Sequence, residues 1–249
     1  MLLDLNFLSY SFLIAALSSF LLGIAKAGVK GIAALIVAGL ALAYGAKEST
    51  GILMPLLICG DIFAVLYYKK YVKWKYILML IPWMILGVLL GVVTGNHISE
   101  KLFQYGMALI IIFSVSLMFY LDTRKQNRIP KNLIFGPSMG LLAGFTTMIG
   151  NLAGAFSNIY FLAMRLPKNE FIGTSAWLFF IINIFKIPFH ILFWKTITIK
   201  SLIISSRLIP FVIIGLIIGV FIVKKIENKN YRKLILILTA IGGIGILFK

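Results

Sequence analysis

The chain is a succession of apolar runs separated by short polar breaks. Ten apolar stretches can be traced, at roughly residues 7–25, 31–45, 50–68, 76–95, 102–121, 132–149, 152–166, 171–193, 201–223 and 232–248. Runs of about 20 apolar residues predict helices that cross a bilayer, whereas the second and seventh stretches, of about 15 residues, are too short to cross alone. The pattern therefore predicts an all-α polytopic membrane protein.

The same pattern of glycine, proline and polar residues occurs twice along the chain. Four residues recur after 122 positions: Gly28 as Gly150, Glu48 as Glu170, Gly51 as Gly173, and Asp61 as Asn183. Three more recur after 128 positions: Pro82 as Pro210, Gly87 as Gly215, and Gly91 as Gly219. Because many transporters arise by duplication of a bundle, this predicts two transmembrane repeats, residues 1–127 and 128–249, with five stretches each in one integral membrane domain.

Composition and charge agree with a membrane protein. The chain is 61% hydrophobic and 12% charged, with a formal net charge of +17. The basic residues fall mainly in the polar breaks, which indicates membrane topology and not a nucleic-acid partner. One side of the ten-stretch trace carries 17 of the 24 Lys and Arg residues. The positive-inside rule puts that side in the cytoplasm and both termini outside, and an odd number of stretches per repeat inverts the second copy relative to the first.

The first two stretches of each repeat are open to two interpretations, either two crossings or two half-helices that meet partway through the bilayer. The short second stretch and the glycines at the turns favour broken, re-entrant helices. These glycines are Gly28, Gly31, Gly150 and Gly154. Irregular backbone at membrane depth is tolerated where it is buried in protein or lines a cavity, so both turns are candidate substrate sites. The free N–H groups of a half-helix would suit an anion.

Polar residues near the turns are candidate anion ligands. Lys26 and Lys30 flank the first turn, and Asn151 follows the second. Alternatively, the lysines snorkel to the headgroups and the glycines only permit close helix packing. Four hydroxyl side chains at the predicted starts of the third and eighth stretches are candidate donors to the anion, or equally backbone caps: Ser49, Thr50, Thr174 and Ser175.

Ionisable side chains within apolar runs are functional candidates because they are costly there. Asp61 is the clearest case, and its repeat mate Asn183 precedes Lys186 by three residues. Asp61 is predicted to carry a coupling proton or to pair with Lys26 or Lys186, and Asn183 to supply a neutral hydrogen bond to the substrate. The alternative is a fixed buried pair that only joins helices. His190 is expected at the outer interface.

Several long blocks resemble a known family. They are residues 23–31, 45–70, 140–155, 166–177 and 183–191, which resemble the sulfite exporter TauE/SafE family over nearly the full chain. The resemblance implies a permease that moves sulfite, sulfonates or related small sulfur-containing anions out of bacterial cells, coupled to the proton gradient, and hence a bacterial inner-membrane location. Ala27 and Lys30 stand where many members have Thr and Pro, and the extra cation could favour a more highly charged anion.

Other functions fit the chain less well. It has no HExxH motif and a single cysteine, so neither an enzyme nor a cofactor or metal is expected. A membrane assembly factor and an anion channel remain alternatives to a carrier. The expected partners are a small anionic substrate and membrane lipid, and the uniformly apolar outward faces also permit a homo-oligomer.

Overall fold

The computed structural model describes residues 9–97, scattered positions between 99 and 120, and residues 133–247. Within residues 9–97 and 133–247 the helices are α1 (Tyr10–Ala27), α2 (Ala33–Tyr44), α3 (Ala46–Tyr68), α4 (Trp74–His97), α5 (Phe135–Gly150), α6 (Gly154–Ala163), α7 (Lys168–Leu192), α8 (Ile199–Lys225) and α9 (Asn228–Leu247). A 3-10 turn, Lys69–Tyr71, follows α3. No strand occurs in the described ranges, so the all-helical prediction is confirmed there. The fifth predicted stretch and the proposed repeat boundary at residue 127 lie largely outside them.

Five of these helices are long and apolar enough to cross a membrane, namely α1, α3, α4, α7 and α8. By contrast, α2 has 12 residues and α6 has 10. At 1.5 Å per residue they extend about 18 and 15 Å, roughly half of a 30 Å hydrocarbon core. Neither can cross the bilayer alone.

Local sequence signals explain where several helices begin and end. The Ser9 hydroxyl oxygen accepts a hydrogen bond from the Phe12 N–H and caps α1. Thr198 and Ser201 form a reciprocal capping box at the start of α8. Gly45, at a φ of 90°, ends α2 and begins α3 without an intervening loop, because glycine adopts positive φ at little cost.

Helix α1 packs closely and in parallel against α8. A Cβ atom built on Gly215 would lie 2.0 Å from the Phe20 carbonyl oxygen, and one on Gly219 would lie 2.6 Å from the Ala27 Cβ. Residue numbers rise together along both helices, so the two run in the same direction. The backbones approach this closely because both α8 positions lack side chains.

Helices α4 and α5 repeat the same contact. A Cβ on Gly87 would lie 2.1 Å from the Leu141 carbonyl oxygen, and one on Gly91 would lie 2.7 Å from the Met148 Cβ. Gly87 and Gly91 match the α8 glycines at a spacing of 128 residues in the sequence. The same kind of glycine contact therefore joins α1 to α8 and α5 to α4.

Helices α3 and α7 pack antiparallel. Near one end, a Cβ on Gly173 would lie 2.8 Å from the Tyr68 carbonyl oxygen. Further along, the Asn183 side chain contacts Asp61 at 2.7 Å. Residue numbers rise along one helix as they fall along the other, so the two helices run in opposite directions.

Polar and apolar side chains are distributed as in a membrane protein. Large apolar side chains are exposed along the long helices, among them Leu13, Leu17, Leu86, Leu90, Val93, Ile214, Ile217 and Phe221. Several charged and amide side chains are instead buried, including Lys26, Lys30, Asp61, Asn183 and Lys186. The exposed faces of the long helices are therefore apolar, and a smaller group of charged and amide side chains lies within a mainly apolar core.

Candidate functional site

The first helix break separates α1 from α2. Gly28 and Gly31 adopt φ values of 128° and 106°, which glycine tolerates. The hydroxyl of Tyr68 donates to the Ala27 carbonyl and that of Tyr231 to the Gly28 carbonyl, each at 2.7 Å. Two tyrosines thus satisfy carbonyl groups that the end of α1 leaves without helical partners.

The second break separates α5 from α6, and here an asparagine adopts the left-handed conformation. Asn151 has a φ of 56°, and its N–H donates to the Thr147 carbonyl at 3.0 Å. Its amide nitrogen donates to the Thr50 carbonyl of α3 at 3.3 Å. Asn151 therefore ends α5 and connects the second break to α3 through this hydrogen bond.

A buried ion pair lies beside the first break. Lys26, in the last turn of α1, contacts an Asp61 carboxylate oxygen at 2.5 Å, and the amide nitrogen of Asn183 donates to the other oxygen at 2.7 Å. The side chains of Lys26 and Asp61 are 6% and 0% exposed. Burial of a carboxylate is tolerated because an ammonium and an amide both contact it.

A second buried lysine supports the other break. The Lys186 ammonium donates to the Thr147 carbonyl at 2.9 Å, to the Thr147 hydroxyl at 3.0 Å and to the Asn151 side-chain oxygen at 2.7 Å. These three acceptors are all uncharged groups. The ammonium lies at the C-terminal end of α5, where the helix dipole favours a cation.

A cavity of about 70 Å³ lies between the two breaks. On this measure of volume one water molecule needs about 10–15 Å³, so the cavity has room for several waters or for a small oxyanion. The ammonium groups of Lys26 and Lys30 lie 5.5 and 5.4 Å from the centroid of the Phe179 ring, which also lines it. The other polar lining residues are Thr147, Asn151, Asn158 and Asn183.

A comparison with protein families bears on the function of this cavity. The model of the sulfite exporter TauE/SafE family matches residues 11–246 of the 249. The chain belongs to the TauE/SafE family. No curated protein and no solved structure matches it. This TauE/SafE chain is accordingly a multi-pass membrane protein of a transporter family.

Six of the predicted substrate residues line the cavity of the TauE/SafE chain: Lys26, Lys30, Gly31, Asn151, Gly154 and Asn183. Asp61 and Lys186 contact lining residues. Gly28 and Gly150 form the breaks but are not among the lining residues of the described chain. Neither lysine at the first turn snorkels outward, because both are buried.

The predicted hydroxyl donors lie away from the cavity. Ser49 donates to the Ala46 carbonyl and Thr50 to the Lys47 carbonyl. Thr174 accepts from the Lys73 N–H, and Ser175 is buried, with no hydrogen-bond partner for its hydroxyl among the described residues. In three of the four, the hydroxyl therefore bonds to a backbone group, but none of these bonds caps the start of its own helix, which was the predicted alternative to anion binding.

Sequence reasoning missed several residues of this region in the TauE/SafE chain. Asn158 lies one turn after Gly154, and its side-chain oxygen has no hydrogen-bond partner in the described chain. An amide within an apolar helix was the available signal. Phe179 carried no comparable signal. His190, expected at the interface, is instead buried, and its ring Nδ1 lies 2.8 Å from the Thr196 hydroxyl.

One motif that also occurs in hydrolases lies in the described chain. Residues 136–140 have the form GxSxG, which the sequence reasoning passed over. They lie within α5, whereas a hydrolase nucleophile occupies a sharp turn between a strand and a helix. Ser138 therefore lacks the backbone setting of a catalytic serine.

Proposed function

We propose that this TauE/SafE protein carries a small sulfur-containing oxyanion, such as sulfite or a sulfonate, through the central cavity. One observation carries the proposal: three lysines and one carboxylate are buried among the described residues, which are Lys26, Lys30, Lys186 and Asp61. Two uncompensated positive charges are costly at membrane depth. A bound anion offsets that cost, and a divalent anion offsets it most fully.

The anion would be held by groups from both halves of the chain. Lys26 and Lys30 supply charge, and Thr147, Asn151 and Asn158 supply polar groups at the cavity wall. Mixed charged and neutral ligands suit an oxyanion, whose oxygens each accept hydrogen bonds. The arrangement favours a carrier over an assembly factor, because packing alone does not call for a cavity whose largely apolar wall also carries two lysines and three asparagines.

Asp61 is the proposed proton carrier. Its carboxylate competes with the anion for Lys26, since it contacts the Lys26 ammonium directly. Protonation of Asp61 would weaken that contact and release Lys26 to the anion, which couples anion binding to proton binding. Lys186 is proposed to act with it by holding the second break through Asn151.

We also propose that residues 1–127 and 128–249 form an inverted repeat. The antiparallel packing of the repeat mates α3 and α7 supports this, as does the reciprocal packing of α1 on α8 and α5 on α4. In this arrangement α1–α2 and α5–α6 are broken-helix hairpins, and the cavity is lined by residues from both. The segment of Lys69–Tyr71 faces the cytoplasm of a bacterial cell, and both termini lie outside.

Uptake into proteoliposomes tests the transport proposal. Purified protein is assayed with labelled sulfite, sulfate, thiosulfate and a simple sulfonate, with and without an imposed pH gradient. Saturable flux that follows the gradient is expected for at least one of them. Flux that neither saturates nor follows the gradient would indicate a channel, and no flux of any sulfur anion would refute the proposed substrate class.

The Asp61→Asn variant tests the coupling. It should still exchange anion across the membrane but lose its response to the pH gradient. Glu170→Gln is the matched control, because Glu170 pairs with Lys73 at the partly exposed start of α7 and its removal should leave coupling intact. Full coupling in Asp61→Asn would remove Asp61 from the mechanism.

Cysteine labelling tests the topology. Lys70→Cys and Lys195→Cys are introduced separately after replacement of Cys59 by serine, and intact cells are treated with a membrane-impermeant maleimide. Both positions are exposed. Labelling of Lys195→Cys alone is expected, and labelling of Lys70→Cys alone would reverse the proposed orientation.

A further inference from the structure

A second, larger cavity lies at the end of the bundle where α3 begins, opposite the Lys69–Tyr71 turn. Its volume is about 470 Å³, and Lys47, Lys195 and Lys200 all line it. Hydroxyl groups of Thr196 and Ser201 contribute to the same wall. We call this the basic vestibule and define it by these five residues.

The lysines of the basic vestibule occupy unfavourable positions. Lys47 and Lys200 lie in the first turns of α3 and α8, where the positive end of the helix dipole opposes a cation. The backbone of Lys195 adopts a φ of 52°, a conformation that residues other than glycine and asparagine seldom adopt. Three like charges also repel one another across a shared cavity.

The distribution of basic residues in the sequence makes this clustering of lysines more unusual. Five basic residues fall on this side of the ten-stretch trace, and three of them line the basic vestibule. Glu48 is the carboxylate among its described lining residues, which leaves a formal excess of two positive charges. A folded chain that keeps such a group of cations together gains from an anion that enters it.

We propose that the basic vestibule is a second anion-binding site, distinct from the central cavity, which captures an oxyanion at the mouth of the protein. Ile52 lines the basic vestibule and the next residue, Leu53, lines the central cavity. Consecutive residues of α3 therefore contribute to the walls of both cavities.

The chemistry of the basic vestibule sets the strength of binding. Lys195 and Lys200 are exposed, so their attraction for an anion acts through water and is screened by salt. Binding is accordingly weak and rapidly reversible, which suits capture more than storage. The ligand is an oxyanion that accepts hydrogen bonds, either a free ion or the phosphate of a lipid headgroup.

Tryptophan fluorescence can report this site without any transport assay, because the indole ring of Trp194 lines it and lies 5.8 Å from the Lys47 ammonium. A protein that keeps Trp194 alone is made by replacing the other three tryptophans with phenylalanine: Trp74, Trp83 and Trp177. It is titrated in detergent with sodium sulfate against sodium chloride at equal ionic strength. A saturable change specific to sulfate is expected.

Paired variants locate the response. Lys195→Gln with Lys200→Gln should weaken the apparent affinity for sulfate about fivefold, since two exposed charges are removed. Lys69→Gln with Lys70→Gln removes two lysines at the opposite end and should leave it unchanged. The proposal would be overturned if the fluorescence of the protein that keeps Trp194 alone showed no sulfate-specific change. It would also be overturned if Lys195→Gln with Lys200→Gln left the apparent affinity for sulfate unchanged.

Two further arms separate this site from the central cavity and from lipid. Lys30→Met, in the central cavity, should leave the fluorescence response intact, and its loss would mean that Trp194 reports the central site, which would overturn the proposal. The titration is then repeated in nanodiscs of phosphatidylcholine with and without phosphatidylglycerol. Competition by phosphatidylglycerol would support the site with lipid phosphate as its occupant, and an undiminished response would support a free oxyanion.

Discussion

Replacement of Lys26 by methionine is expected to destabilise the protein strongly. The change keeps most of the side-chain volume but removes the ammonium that contacts Asp61 at 2.5 Å, where the two side chains are 6% and 0% exposed. A buried carboxylate deprived of its ion-pair partner costs about 3–5 kcal/mol. For a chain of this size each kcal/mol lowers the melting temperature by about 2–4 °C, so we expect a decrease of about 6–20 °C.

Thermal unfolding of the purified protein in detergent measures this effect, and two further variants define its origin. Lys26→Met combined with Asp61→Asn should recover most of the lost stability, because the double variant no longer buries the Asp61 carboxylate without its Lys26 partner. Lys73→Met, which breaks the partly exposed pair with Glu170, should cost less than about 1 kcal/mol. The reasoning is refuted if Lys26→Met costs no more than Lys73→Met, or if the double variant is as unstable as Lys26→Met alone.

Two more predictions concern packing and charge. Gly215→Ala should abolish stable expression, because its Cβ would lie 2.0 Å from the Phe20 carbonyl oxygen. Gly106→Ala should be tolerated, because a Cβ at that position meets nothing within 4 Å. Fluorescence-detected size-exclusion chromatography compares the yields of the two variants, and equal yields would contradict the close contact at Gly215. Lys30→Met should lower uptake of a divalent oxyanion relative to a monovalent sulfonate about tenfold, equivalent to about 1.4 kcal/mol. An unchanged ratio in competitive uptake would show that Lys30 does not match the charge of the anion.

Hydrophobic pattern and spacing were enough to predict much of the helical framework. Turn glycines and a short second stretch predicted the break between α1 and α2, where Gly28 and Gly31 do adopt positive φ. An ionisable residue in an apolar run drew attention to Asp61, and the pair with Lys26, one of the alternatives considered, is present, whereas a role of Asp61 in proton coupling stays a prediction. Both inferences succeed because glycine and a buried carboxylate have few ways to be accommodated in a membrane.

Other features depend on three-dimensional contacts that spacing does not encode. The sequence did not distinguish a hydroxyl that binds substrate from one that bonds its own helix, and Ser49 and Thr50 do the latter. Nor did the nearby aromatic residues show that His190 would be buried beside Thr196. Asn158 could have been recognised as an amide in an apolar helix, but Phe179 became relevant only when α7 was seen to face Lys26 and Lys30.

The close pairing of α1 with α8 limits how the protein can move. A Cβ on Gly215 would collide with backbone atoms of α1, so these two helices cannot slide or separate without losing an extensive interlocked contact. The same holds for α4 and α5, where Gly87 is packed against α5. A hinge between the two halves of the chain would have to pull both pairs apart. Any opening of the cavity should therefore move α1 with α8, and α4 with α5, as rigid pairs that each contain one helix from either half.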